Sequence, residues 1–459
     1  MSEAIHKPAI SLSGRYIILV VAFLGWAFAG VHMSIVSIVM RVAVADLLPA
    51  GTAEGVIGQW FGWLVCAFLL GAATGGYLFG IVGDRFGRAK AMAASILCYS
   101  VFSGATYFAD SPVILLLLRF LTCMGIGGMW PNGIALIAEA WPNVSRPILA
   151  GVMGTAANVG ILCFAVVTTF RHVTGDDWRW TMIVGASPIV LAFISMIFVP
   201  ESPKWLGLQA GKDKSKGDTA DKVGLGEIFK PPLLKTTIIG ILLGTIPLFG
   251  GWGVSNWGQA WASEAGDKAR AATQSADAEA KPAAKADPAL KSRATIYRSM
   301  MGSVTSLLGG AIASFVGRKL SYGVLCACAL VCTQFLFRID DPANKDVFFS
   351  LNLGFFSWEP TEFLFWMGAL GFFSGFFFGW LPLFLPELFP TRVRSTGAGV
   401  SFNWGRILTA IGVLVSAALL KDLFKGEYAR VGQITGLIYA VGLLVIFFAP
   451  DTSQNSLEE

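Results

Sequence analysis

The sequence predicts an all-α membrane protein with twelve transmembrane helices in two six-helix bundles, and three observations predict it. Hydrophobic residues make up 55% of the 459 positions and charged residues 14%, too little charge to coat a soluble protein of this length. The apolar residues gather into stretches of about 20, the length at which a helix crosses a hydrocarbon core. Short motifs also recur at a near-constant offset, so the second half of the chain repeats the first.

The first apolar stretch, from about Tyr16 to Met40, is longer than the apolar region of a cleavable signal and lacks a small-residue cleavage site, so it reads as a membrane helix. Further stretches begin near Val56, Ala91, Pro112, Ile148, Trp180, Thr236, Tyr297, Leu320, Phe363, Thr396 and Val431. An even number of crossings puts both termini on one face. Gly71, Gly75 and Gly76 in the second stretch and Gly151, Gly154 and Gly160 in the fifth would weaken a helix in water, whereas in lipid they let helices approach closely. The seven cysteines all fall in apolar stretches. Cys326 and Cys328 have no third and fourth partner nearby, so neither a metal nor a redox role is expected, and no cofactor.

Charge gives the expected orientation. With the amino terminus inside, the short loops on that side hold Arg85, Arg88, Lys90, Arg146, Arg318, Lys319, Arg392 and Arg394, while acids outnumber bases on the other. The positive-inside rule then predicts a protein of the cytoplasmic (inner) membrane with both termini in the cytoplasm. The expected divisions are an N-terminal bundle over 1–200, a cytoplasmic linker over 201–234 and a C-terminal bundle over 235–459. An insert at about 262–294, rich in Ala, Lys, Asp and Gln with almost nothing large and apolar, is expected outside the membrane as a disordered segment or a loose helix.

The repeat rests on three pairs of motifs. Glu139-Ala-Trp-Pro142-Asn-Val-Ser-Arg146 and Glu387-Leu-Phe-Pro390-Thr-Arg-Val-Arg394 share Glu-x-x-Pro-x-x-x-Arg. Pro200-Glu201-Ser202 and Pro450-Asp451-Thr452 follow the sixth and twelfth helices, and Gly87-Arg88 and Gly317-Arg318 follow even-numbered ones. Parallel repeats of this kind place a substrate site between the halves near the bilayer midplane. Gly80-Ile-Val-Gly83-Asp84-Arg85-Phe86-Gly87-Arg88 resembles the loop signature of the major facilitator superfamily, between the second and third helices as in that family. Arg119-Phe-Leu-Thr-Cys-Met-Gly125-Ile-Gly127-Gly128 and Pro200-Glu201-Ser202-Pro203-Lys204-Trp205-Leu206 are similar to sugar porters. Pro386-Glu387-Leu-Phe-Pro390-Thr-Arg-Val-Arg394 followed by Asn403 and Arg406 resembles the branch carrying sialic acids and aromatic acids with protons. The resemblance implies the major facilitator fold, alternating access, and a gate in which Asp84 steadies the outward-open state. Arg85, Arg88, Glu139, Arg146, Glu201, Arg318, Glu387, Arg394 and Asp451 complete that network, with opposite charges pairing across the halves when the inner side shuts. Ser314 and Phe315 stand in the second copy where Asp84 and Arg85 stand in the first, so the gate is expected to be asymmetric.

Two arginines fall inside apolar stretches, Arg119 in the fourth and Arg406 in the eleventh. Burying a guanidinium costs several kcal/mol, so both are expected to face a wet cavity, where they would suit a carboxylate. His32 stands where symporters of the resembled branches carry an Asp. It is either a substitute proton carrier or the mark of a uniporter or exchanger. Asn158, Asn256, Gln259, Trp380 and Asn403 are the remaining candidates for substrate binding. The three histidines lie far apart, so no catalytic site is expected and the protein is not read as an enzyme. The expected function is secondary transport of a small organic anion such as an aromatic acid, sialic acid or sugar acid. The alternatives are a neutral-sugar carrier and a non-transporting receptor on the same scaffold. The expected partners are the substrate, protons and the bilayer, with no nucleic acid, for a monomer.

Overall fold

The computed structural model describes residues 10–141, 146–202, 205–207, 225–275, 287, 289–352, 354, 357–390 and 393–452. They form twelve long helices: α1 Leu12–Leu47, α2 Glu54–Phe86, α3 Arg88–Thr106, α4 Pro112–Ala140, α5 Arg146–Phe170, α6 Trp180–Phe198, α7 Leu233–Lys268, α8 Leu290–Val316, α9 Arg318–Leu336, α10 Glu362–Glu387, α11 Arg394–Asp422 and α12 Tyr428–Phe448. Eleven are long and apolar enough to cross a membrane. The exception, α3, is rich in Ser and Ala, and its hydroxyls are satisfied close by: Ser95 and Ser100 donate to the carbonyls of Ala91 and Ile96 one turn back, which removes the cost of burying them.

Three boundaries differ from the sequence expectation. Helix α1 runs past Met40 to Leu47, because Arg41 is accommodated inside the helix. Helix α8 starts at Leu290 rather than near Tyr297, which puts Arg298 about two turns inside it instead of at its end. The insert expected from about 262 as a disordered segment or a loose helix begins instead as an unbroken continuation of α7, helical through Ser275, with its first turns buried. Residues 276–286 of the expected insert, and 203, 204 and 208–224 of the expected linker, lie outside the described residues.

Small residues set the helix contacts. A β-carbon on Gly30 or Gly160 would overlap the backbone of Ala157 or Ala27, so α1 and α5 touch backbone to backbone. Gly75 and Gly127 do the same for α2 and α4, and Gly371 and Gly379 for α10 and α8. In lipid, helix association depends on this close packing because no hydrophobic gain separates helices from their solvent. Between the halves, α5 meets α8 and α2 meets α11. Gly55, Gly58 and Gly62 of α2 seat against Lys421, Leu420 and Ala417 of α11. Gly160→Leu is expected to lower the thermal midpoint of the detergent-purified protein by several degrees, a cost of about 1–3 kcal/mol for forcing bulk into a packed contact. An unchanged melting curve would show that α1 and α5 do not meet so closely.

Candidate functional site

Ile10, Glu139, Ser202, Glu387 and Thr452 lie at one face of the bundle, here the terminal face; the α1–α2 and α7–α8 connections lie at the far face. At the far face the halves are tied together. The guanidinium of Arg41, 4% exposed, makes a two-pronged bond to Glu54 of α2, with Nε to Oε1 at 3.0 Å and Nη2 to Oε2 at 2.8 Å. Its Nη1 crosses to α7, where Asp267 Oδ2 accepts at 2.6 Å and Ser263 Oγ at 3.2 Å. Tyr428 of α12 donates its hydroxyl to Glu54 Oε1 at 2.7 Å. Deeper in, Ser37 donates to Asn256 Oδ1 at 2.8 Å, Phe68 lies 4.2 Å from Trp252, Thr168 donates to Ser292 at 2.8 Å and Asn158 Nδ2 donates to Ser306 at 3.3 Å. The polar bridges that the described residues make between the halves all lie at the level of Asn158, midway along α5, or on its far side.

At the terminal face the charges pair inside each half. Arg88, at the start of α3, pairs with Glu139 at the end of α4, and Ser202 donates to the same carboxylate. Arg318, at the start of α9, holds Glu387 at the end of α10 with two bonds of 2.9 and 3.2 Å. Thr452 donates to Glu387 at 2.6 Å, and Asp451 stands within electrostatic reach of Arg318. The two triads are copies of one another. Each Arg follows a glycine in the left-handed region, Gly87 at φ 109° and Gly317 at φ 96°, a conformation that disfavours a β-carbon. Glu201 accepts from the Ala89 N–H at 3.0 and 3.2 Å, placing an anion on the positive end of α3. Asp84 and Arg85 are exposed, and among the described residues neither side chain has an ion-pair partner. Arg394 donates to the Phe389 carbonyl at 3.4 Å, within its own half. Arg146 opens α5, but its side chain, like Arg392, lies outside the described residues.

The arginines inside the membrane differ. Arg119 is 1% exposed; its Nη2 donates to the His32 carbonyl at 3.3 Å while Nε and Nη1 are sealed without partners. His32 is fully buried, both ring nitrogens sealed, with Tyr99 of α3 edge-on at 5.1 Å and Gly185 of α6 against it. Since α3 and α6 pack on the first half, the pair faces that half's interior and not the space between halves. Arg406 is partly exposed, lies 4.8 Å over the Phe402 ring and donates to Asn403 Oδ1 at 3.3 Å. Asn403 in turn faces Gly76 of α2 across the halves.

The chain matches the model of the Major Facilitator Superfamily over residues 17–276, more than half its length. It belongs to that superfamily. A putative metabolite transport protein of Haemophilus influenzae is 25% identical, covering 95% of this chain and 96% of that one. The cis,cis-muconate transport protein of Acinetobacter baylyi is 24% identical over 95% of this chain and 94% of its own length, and the sialic acid transporter NanX of Escherichia coli 24% over 89% and 86%. Among solved structures, a partially occluded inward-open conformation of the xylose transporter XylE from E. coli superposes with a TM-score of 0.69 at 19% identity, covering 97% of this chain and all of that one. As a major facilitator, the chain is a multi-pass membrane transporter of a small molecule, not an enzyme.

Within this facilitator the predicted residues separate into groups. Arg406, Asn403 and Asn158 remain partly open at the junction of the halves. Arg119 does not face a wet cavity as expected: at 1% exposure it is enclosed, with the α1 backbone at His32 against it. Asn256 and Gln259 are buried, bonded to Ser37 and Thr295, because the far side is shut. Trp380 is fully buried, donates to the Arg318 carbonyl at 3.0 Å and packs 4.6 Å from Tyr322 and 4.4 Å from Phe384, bracing the second-half triad. In this conformation, shut at the far face, Glu139 and Glu387 are held within their own halves by Arg and hydroxyl partners; pairing of terminal-face charges across the halves is the expectation for the state in which that side shuts. The sequence reading missed Arg41, Glu54, Asp267 and Tyr428, which carry the far-face clasp, and Arg298. All of them fall in expected loops or at expected helix ends, though Arg41 continues the apolar stretch that precedes it.

Asp267→Asn removes the carboxylate that links Arg41 to the second half. Spin labels at Ala50 and Asp346 on the far face are expected to show a larger share of long distances, a shift of up to about tenfold for one lost charge-assisted bond. An unchanged distance distribution would show that Asp267 does not hold the halves together.

Proposed function

We propose that this major facilitator carries a small organic anion by alternating access, with the anion held at Arg406 and Asn403. The observation that carries the reading is the state of Arg406: a guanidinium deep in α11, bonded to one amide oxygen, with its remaining nitrogens not sealed and no carboxylate acting on it among the described residues. Such a group favours a carboxylate, which it can grip with parallel N–H donors. Relatives named for muconate and sialic acid transport support the same class. The bundles are taken as 1–200 and 235–459 joined by 201–234. The basic terminal face is the cytoplasmic one by the positive-inside rule, which makes the conformation described above closed to the outside. Asp84, Arg85, Arg88, Glu139, Arg146, Glu201, Arg318, Glu387, Arg394 and Asp451 form the cytoplasmic gate region, where paired groups brace each half and the exposed Asp84 and Arg85 are left to meet the opposite half when that side shuts.

In proteoliposomes, counterflow against a panel of organic acids and neutral sugars is expected to select acids, and Arg406→Ala to reduce exchange at least tenfold while leaving the protein monodisperse. Exchange of neutral sugars alone would favour the sugar-carrier reading instead.

His32 is sealed, with both ring nitrogens buried, which supports uniport or exchange over a proton cycle through this residue. Uptake is expected to be indifferent to an imposed pH gradient. Gradient-driven accumulation that disappears in His32→Ala would restore His32 as a proton carrier.

A further inference from the structure

Helix α7 contains a π-helical turn, Gly250–Val254. Such turns leave backbone carbonyls without their usual partners and concentrate at functional sites. Here the Gly250 carbonyl takes the Ser255 hydroxyl at 3.0 Å, and the Gly251 carbonyl takes Nη2 of Arg298, reaching over from α8, at 3.1 Å. Tyr439 of α12 fills the space beside Gly250. The bond to Gly251 fixes the Arg298 guanidinium in place, but it uses one donor of five. Nε and Nη1 of Arg298 are not sealed, in contrast to those of Arg119, and no carboxylate acts on Arg298 among the described residues. Phe378 of α10 stands beside it: a β-carbon on Gly251 would lie 3.8 Å from both the Arg298 Nη2 and the Phe378 Cζ. Arg298 therefore presents free donors in a region that the tip of the Phe378 ring also borders, while Arg406 lies over the Phe402 ring.

The two arginines are rooted at different depths of the second half. Gly405, next to Arg406, packs on Thr245 of α7, six residues before Gly251, or about 9 Å along the helix. Two unneutralised cations at such a spacing are best compensated by one solute with an anionic group at each end, since two charges taken from water are stabilised only when both are paired.

Resting on the reading of this protein as an organic-anion carrier, we propose that Arg298 is a substrate-binding residue which, with Arg406, selects a dianion, a short dicarboxylate whose carbon skeleton lies against Phe378. Gly251, by lending its carbonyl, positions the guanidinium.

The test is counterflow by the full-length protein in liposomes with short linear dicarboxylates, cis,cis-muconate among them, each paired with its monoamide. Wild-type protein is expected to exchange the dicarboxylate at least tenfold faster than the monoamide. Arg298→Ala is expected to bring that ratio down about tenfold, the loss falling mainly on the dicarboxylate. Arg298→Lys keeps a charge and a donor for the Gly251 carbonyl but loses the fork, so it guards against a folding defect; it too is expected to lower the ratio, with an unchanged melting profile. A ratio that stays at the wild-type value in folded Arg298→Lys and Arg298→Ala would overturn the proposal while leaving the anion-carrier reading standing. Wild-type protein that exchanges no organic anion would overturn both.

Discussion

A guanidinium buried at 4% exposure is the constraint from which the far face follows. Arg41 sits inside α1, where an uncompensated cation would cost several kcal/mol, and one helix cannot satisfy its fork. Glu54, arriving at the start of α2, accepts two of its bonds. The third nitrogen is satisfied from the other half by Asp267 and Ser263. The cation is thus fully compensated when α7 lies against α1, and loses part of its shell when the halves part there. This accounts for the length of α7: its polar turns past Trp261 could not be membrane-embedded, yet Asp267 must reach Arg41. Asp267 is 46% exposed, so water can replace the protein as its partner when the clasp opens, and the barrier stays modest.

The terminal face is organised by an opposite principle. Its strongest pairs, Arg88 with Glu139 and Arg318 with Glu387, join neighbouring helices of the same half, and each is completed by the hydroxyl that follows the last helix of that half. Such triads stay made whichever way the halves tilt. They tie the second helix pair of each bundle to its final helix and so favour rigid-body motion of one half against the other over deformation within a half. Asp84 and Arg85, without an ion-pair partner among the described residues, have no counterparts in the second copy, which has Ser314 and Phe315 there.

The architecture was legible in the sequence because hydropathy, helix length and repeated motifs are local properties, and lipid allows few solutions for a backbone. Even the triads could be seen as motifs: Glu139 with Ser202 and Glu387 with Thr452 recur at matching offsets. Their partners could not, since a motif fixes position along a helix but not which neighbour a side chain meets. Arg41 and Arg298 escaped notice for a more specific reason. A charge near the end of an apolar stretch reads as its boundary, whereas α1 and α8 run several residues beyond where hydropathy alone would stop them. Arg119 was placed on the right helix, but depth along a helix does not say which side it faces, and the contacts with α1 and α3 turned it inward.

The interior charge is consequently unequal between the halves. In the first, the cation is closed over by its own bundle and its carbonyl partner His32 stands on the side of α3 and α6. In the second, Arg298 and Arg406 keep donors that are not sealed. A solute that binds both would be held by one half alone, with the first half contributing apolar and amide surface such as Gly76 opposite Asn403. Under that division the second half carries the substrate and the first half acts as the moving wall. Binding then biases the equilibrium between conformations through how closely the first half can approach the loaded site, since a ligand shifts such an equilibrium only by its difference in affinity for the two states.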